Sequence, residues 1–221
     1  MRTLVTAFEA FGGARANASS AAVTRLPARI GALDIVTAQL PTSYARSGAA
    51  LIREIERVKP TLVLCVGEAG ERHELNVERI AINVQDARLA DNDGAQPIDV
   101  PVLKDAPAAY FATLPVRAIH DALIAAHLPA TVSNSAGTFV CNHVFYTLMH
   151  FAATTKSKIS GGFLHVPAWR ADSTAPAMTL DDIVRGITIA LEVSAGNKIP
   201  SPLTGEGQDG GGSAGGGDES S

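Results

Sequence analysis

The chain has 221 residues, 46% hydrophobic and 18% charged, which is enough for one globular domain with a sizeable core and excludes disorder of the whole. Aromatics are only 5% and mean hydropathy is +0.15, so the core must be built from Ala, Val, Ile and Leu packed between layers, as in an α/β domain. The net charge of -4 comes from four acids in residues 201–221; residues 1–200 carry 18 bases against 18 acids, with no basic stripe to bind a phosphate backbone, which argues against a nucleic-acid partner.

The start meets Glu9 before any signal-type apolar stretch develops, and no apolar run approaches the ~18 residues of a membrane span, so no membrane partner is expected and the cytoplasm is the expected compartment. In chain order, residues 3–8 and 33–40 read as strands, and Leu51, Ile52, Ile55 and Val58 form a helical stripe. Residues 61–66 form a third, nearly continuous apolar strand. A polar excursion over residues 67–101 follows, with the short apolar patch Ile80-Ala81-Ile82-Asn83-Val84 inside it; such an excursion after a buried strand often carries function. Within it, Asp91-Asn92-Asp93-Gly94 resembles part of a calcium loop, but Leu89 stands where the first carboxylate belongs and no Glu closes the loop, so it reads as a turn.

Val116, Ile119 and Leu123 mark a second helix, residues 131–133 a strand, and Val144, Phe145, Leu148, Met149 and Ala152 a third helix. Residues 159–166 form the last strand. The final helix carries Leu180, Ile183, Val184, Ile187 and Leu191 and opens on Thr179 with Asp182 three residues later, in the manner of a capping box. The fold expected is a three-layer α/β/α single domain over residues 1–200 with a mostly parallel central sheet covered on both faces. Residues 201–221 hold eight of the twenty glycines and are expected to be a disordered Gly/Ser/acid-rich tail.

Within residues 1–200 the familiar signatures for nucleotides, zinc and serine nucleophiles are absent: no GxGxxG, no Walker lysine loop, no HExxH, no GxSxG. Neither of the two cysteines belongs to a zinc spacing, and no metal or cofactor is expected. What remains is cysteine chemistry. Cys65 lies inside an apolar strand and reads as a small hydrophobe. Cys141 follows a Gly-containing turn and precedes the third helix, where the helix N-terminus should favour a thiolate and offer N–H groups to an oxyanion.

Among six histidines, His143 and His150 read as the polar, solvated side of the third helix, and His120 and His127 repeat that spacing on another. His165 ends a strand. If the strand at 131, the third helix and the strand at 159 form a βαβ unit, Cys141 and His165 leave adjacent parallel strands at one edge, as nucleophile and general acid/base. A carboxylate should orient the imidazole; Glu78, pinned by an apolar run, is attractive, and spacing leaves Glu68, Glu71 and Asp86 open.

At these residues the chain resembles the pyroglutamyl peptidase I family of cytosolic cysteine peptidases. The resemblance runs from about residue 3 to 167 through four ordered motifs. They are Leu4-Val5-Thr6-Ala7-Phe8-Glu9-Ala10-Phe11-Gly12-Gly13 with Asn17; Val66-Gly67-Glu68-Ala69-Gly70 with Glu78-Arg79-Ile80-Ala81-Ile82-Asn83 and Asp86-Ala87-Arg88; Ser135-Ala136-Gly137-Thr138-Phe139-Val140-Cys141-Asn142; and Gly162-Phe163-Leu164-His165-Val166-Pro167. It implies a phosphorylase/hydrolase-like fold, peptides with an N-terminal pyroglutamate as substrates, Cys141 as nucleophile, His165 as base and Glu78 as orienting carboxylate. It further implies Arg88 and the Cys141 N–H at the oxyanion, Phe8, Phe11, Asn17, Phe139 and Val140 around the lactam ring, and a homotetramer. A compact, uncharged ring suits such walls, whereas a free N-terminal ammonium would lack a partner.

Departures from the family pattern are Glu68 for a usual Gln, Ala7 and Glu71 for glycines, and Ala10 and Ala18 for prolines. The alternatives are an inactive binding or scaffold protein that keeps the fold, and a nucleoside phosphorylase-like enzyme, for which no phosphate loop or Arg cluster is found.

Overall fold

The computed structural model describes residues 1–155, 158–169 and 178–196. In chain order these form β1 (Arg2–Phe8), α1 (Ala18–Val23), β2 (Arg29–Ile30), β3 (Leu33–Leu40), α2 (Ser47–Val58), β4 (Leu62–Ala69), β5 (Leu75–Glu78), β6 (Ile80–Ile82), β7 (Ala109–Phe111), α3 (Val116–Ala125), β8 (Ala130–Ser133), α4 (Val140–Thr154), β9 (Ser160–Pro167) and α5 (Leu180–Ser194). The expectation of a disordered tail at 201–221 lies outside the described residues.

Among the described residues, seven strands form one sheet in the order β2-β3-β1-β4-β9-β5-β8, and β6 and β7 form a separate antiparallel ribbon. β3, β1, β4 and β9 run parallel to one another, while β5 is antiparallel to β9 and parallel to β8. The central strands β1, β4 and β9 are buried along nearly their whole length because helices cover both faces. Alternation along each strand sorts the side chains. Val5, Leu64, Val66 and Leu164 meet Ile119, Leu123, Ile183 and Ile187 on the side of α1, α3 and α5. Leu4, Val63, Cys65 and Phe163 meet Leu51, Ile55, Val144, Phe145 and Leu148 on the side of α2 and α4. The cap of α5 forms as expected: Thr179 Oγ1 accepts from the Asp182 N–H at 3.1 Å.

Three expectations need correction. β4 runs on to Ala69, so Gly67 and Glu68 belong to a strand rather than to a loop. Part of the excursion is also sheet, because Leu75–Glu78 inserts as β5; at four residues, and flanked by charge, it carries too little pattern to stand out. This insertion separates β8 from β9, so the two are neither neighbours nor parallel, contrary to the βαβ expectation. α4 and β9 are instead joined as an antiparallel helix–strand pair, which places the start of α4 against the end of β9.

The Asp91-Asn92-Asp93-Gly94 segment is a turn, as expected. Asp91 Oδ1 accepts from the N–H groups of Asp93 at 2.9 Å and Ala95 at 2.8 Å, and its Oδ2 accepts from the Tyr44 N–H at 2.8 Å. Arg46 and the Ser43 hydroxyl, both bonded to Asp93, hold its carboxyl down to about 2. The turn thereby fixes Tyr44, whose ring meets Phe139 edge-on at 5.6 Å.

Candidate active site

Opposed residues in an antiparallel pair share a face. The register Asn76↔His165 and Glu78↔Phe163 therefore puts Glu78 and His165 on the α4 side of the sheet, and Gly67↔His165 adds Gly67 from β4. His165 Nδ1 lies 2.8 Å from Glu78 Oε1, with His165 4% exposed and Glu78 wholly buried. The carboxylate only accepts, so Nδ1 donates and Nε2 is left to face the cavity. Phe163 packs on the imidazole with ring centroids 4.7 Å apart.

α4 brings Cys141. Phe139 occupies its N-cap position without a side-chain cap, so the first backbone N–H groups of the helix are left for a ligand. The loop before it is shaped by Gly137 at φ +76° and by Thr138, whose hydroxyl donates to Asp86 O at 2.6 Å. Asn142, fully buried, ties the helix to the excursion: its Nδ2 donates to Ile82 O and Val84 O at 2.9 and 3.1 Å, and its Oδ1 accepts from the Ile82 N–H at 3.0 Å. Gly67 is what lets the helix start come so close, since a Cβ there would stand 2.8 Å from both Cys141 Sγ and Phe163 Cζ.

Cys141 and His165 open on one cavity of about 110 Å³. Its walls include Phe8, Phe11, Asn17, Phe139 and Val140. Thr42, Ala136 and Glu68 complete it. Phe11 and Phe139 lie with centroids 5.8 Å apart. Asn17 is the N-cap of α1, its Oδ1 accepting from the Ser19 N–H at 2.9 Å, and Glu68 Oε2 accepts from the Ala18 N–H at 2.6 Å, so a cavity wall doubles as a helix terminus. α1 escaped the sequence reading, although Asn before Ala-Ser-Ser-Ala-Ala is an N-cap signal.

Other expectations fare differently. Arg88 does not line the cavity: its side chain is 82% exposed and lies 3.7 Å from Glu71. The Cys141 thiol is not held as a thiolate; burial, Glu78, Cys65 and Glu68 push it up to about 12, outweighing the pull of Arg72. His143 and His150 are packed rather than solvated. His143 Nδ1 pairs with Gln85 Oε1 at 3.1 Å and its burial lowers it to about 4, while His150 Nδ1 meets the Tyr110 hydroxyl at 3.0 Å. Tyr146 between them is fully buried and donates to Pro107 O at 2.6 Å. The ribbon of β6 and β7 covers this side of α4, which periodicity alone does not reveal. Arg72, unmarked in the sequence reading, donates from Nη1 to Glu78 Oε1 at 2.7 Å. Among the described residues no group of three or more His, Cys, Asp or Glu is arranged to hold a metal, and no helix is long and apolar enough to cross a membrane.

A mostly parallel sheet between helical layers, with a cysteine at a helix start sharing a cavity with a carboxylate-bound histidine, fits the class of cysteine-type hydrolases on an α/β fold. Comparison with known proteins makes this specific. The pyroglutamyl peptidase family model matches residues 1–197. A pyrrolidone-carboxylate peptidase of Alkaliphilus oremlandii is 43% identical over 202 residues, covering 90% of this chain and 95% of the relative. One of Erwinia tasmaniensis is 46% identical over 198 residues, covering 87% and 92%. The crystal structure of Bacillus amyloliquefaciens pyroglutamyl peptidase I superposes with a TM-score of 0.84 at 38% identity, covering 90% of this chain and 99% of that one. The Thermococcus litoralis pyrrolidone carboxyl peptidase gives 0.83 at 37% identity, covering 91% and 99%. The chain belongs to the pyroglutamyl peptidase family.

Proposed function

We propose that the protein is a cysteine exopeptidase that removes an N-terminal pyroglutamyl residue from peptides, with Cys141 as nucleophile, His165 as general base and acid, and Glu78 as the carboxylate that orients the imidazole. The observation that carries this reading is the small aromatic-walled cavity on which Cys141 and His165 both open, with Glu78 bonded behind the imidazole. At about 110 Å³ the cavity suits a five-membered lactam rather than an extended side chain.

The resting thiol is neutral, so attack is coupled to proton transfer. His165 Nε2 takes the proton as Cys141 Sγ bonds to the pyroglutamyl carbonyl carbon, and Glu78 stabilises the imidazolium formed. The carbonyl oxygen, now an anion, is held by the Cys141 N–H at the α4 terminus, with Arg88 as a second donor once its side chain leaves Glu71. Collapse breaks the C–N bond, and His165 returns its proton to the departing amine. Water, deprotonated by the same imidazole, then hydrolyses the thioester to free pyroglutamate and thiol. A cytoplasmic location supplies the reducing conditions this thiol needs, and a homotetramer is the expected assembly.

Hydrolysis of a chromogenic pyroglutamyl amide, with and without a thiol-blocking reagent, tests the reading. Turnover that the blocker abolishes is expected; no turnover by fresh, reduced protein, or full turnover after alkylation, rejects it.

A further inference from the structure

Glu78 carries a burden the triad alone does not resolve. It is wholly buried, both of its hydrogen bonds converge on Oε1, and Oε2 has no hydrogen-bond partner among the described residues. An ionised carboxylate in such a place is costly unless a cation sits against it. His165 cannot be that cation in the resting state, since it must be neutral to take the thiol proton. Arg72 can.

Its guanidinium, on the turn between β4 and β5 and only partly exposed, donates from Nη1 to Glu78 Oε1 at 2.7 Å. Nη2 donates to Ser135 O at 3.0 Å, on the loop that leads into α4 and Cys141. The turn itself is pinned by the Arg72 N–H bonding to Ala69 O at 3.0 Å, at the end of β4. One side chain therefore ties the strand of the carboxylate to the approach of the nucleophile.

Granted the roles assigned above to Cys141, His165 and Glu78, we propose that Arg72 is a positioning residue for the reaction, a guanidinium clamp that pairs with the buried Glu78, aims it at His165 and holds the α4 approach loop in register. The Arg72 charge also draws the Cys141 thiol down, against burial and the acids around it. Among the described residues, the charged and titratable groups that act on Cys141 are Glu78 from β5, Glu68 and Cys65 from β4, Tyr44 from the segment after β3, and Arg72 itself.

Removing a positive charge makes proton uptake easier at a neighbouring site, so Arg72→Gln should move the Cys141 thiol, and with it the pH profile of the reaction, to higher pH. The test uses the full chain. Arg72→Gln, Arg72→Lys, Glu78→Gln and the double variant are compared by thermal melting, by kcat and KM on a pyroglutamyl amide against pH, and by the pH dependence of Cys141 alkylation with iodoacetamide. Expected for Arg72→Gln is a fall in kcat of about tenfold or more with KM within about threefold, and an acid limb and an alkylation profile both displaced upward by about 0.5 in pH or more. Arg72→Lys should recover part of the displacement, because it keeps the charge and loses the fork to Ser135. In the Glu78→Gln background Arg72→Gln should cost less than about twofold further, as expected when one residue acts through the other.

Unshifted profiles with kcat near that of the unsubstituted protein, or losses that multiply in full in the double variant, overturn the proposal. If Arg72→Gln does not fold, Arg72→Lys decides by the same two profiles, with a smaller upward shift expected and none overturning it. Failure of the peptidase reading shows separately, as unsubstituted protein inert towards the substrate; the alkylation profiles then still report whether Arg72 acts on the thiol.

Discussion

A thiol is useful as a nucleophile only if its proton has somewhere to go. In this molecule burial and nearby acids push the Cys141 thiol up, so in the proposed mechanism the imidazole held by Glu78 is the acceptor. Cys141→Ala should lower turnover of a pyroglutamyl amide by at least about 10³-fold while circular dichroism stays unchanged, since the side chain contributes chemistry more than packing. Cys65 is fully buried on the neighbouring strand, and Cys65→Ser should keep kcat within about threefold while lowering stability by about 1–2 kcal/mol, read by denaturant melting. Glu68 acts in the sense opposite to Arg72. Its carboxylate lines the cavity wall and raises the Cys141 thiol, so Glu68→Gln should displace the pH profile of kcat/KM to lower pH. A profile that does not move would remove Glu68 from the electrostatics of the site and leave it as the cap of α1.

At the scale of elements, the site depends on how closely α4 approaches β4 and β9. Gly67→Ala puts a methyl where Cys141 Sγ and Phe163 already stand, so the start of α4 must move out. Displacements of about 1 Å cost on the order of 10²-fold in positioned reactions, and kcat/KM should fall by more than tenfold while the melting temperature drops by only a few degrees. Asn142 works at the next residue along. Its Nδ2 and Oδ1 satisfy the backbone of the β6 segment, and Asn142→Ala should destabilise the protein by about 2–4 kcal/mol, measured by urea unfolding, because the partners left behind are buried. Neither effect is legible in linear sequence. Gly67 and Asn142 have ordinary neighbours there, and only the packing of α4 under the ribbon and over β4 gives each its task.

Across the whole molecule the shifted groups define a pH window for folding. Cys65 and Cys141 are both pushed up to about 12, so unfolded chains lose these protons first as pH rises. The stabilisation is complete below the ordinary thiol range and is lost towards pH 12; at pH 11 each thiol should account for a loss on the order of 2 kcal/mol, and Cys65→Ser should remove its share. On the acid side His143 is held down to about 4, so stability is present above the ordinary histidine range and declines as pH falls through 6.5 towards 4. Thermal melting from pH 4 to 11 should therefore show a dome, flattened on its acid flank in His143→Gln.

Periodicity and composition were sufficient for the layers. Helical stripes recur every 3.6 residues and the buried strands stand out as short apolar runs, and α2, α3, α4, α5, β1, β3, β4 and β9 follow from them to within a few residues. The chemistry-bearing residues could also be singled out, because a Cys at a helix start and a His at a strand end differ from their surroundings in type. Their meeting depended on tertiary structure, and by a different route from the one local reasoning suggests: β5 inserts antiparallel between β8 and β9, and the pair is joined across α4 and β9. So did the protonation of Cys141, the packing of His143 and His150, the surface position of Arg88 and the clamp by Arg72. Each of these depends on which charges and surfaces converge from distant segments, and that is a property of strand order and burial, which no local pattern encodes.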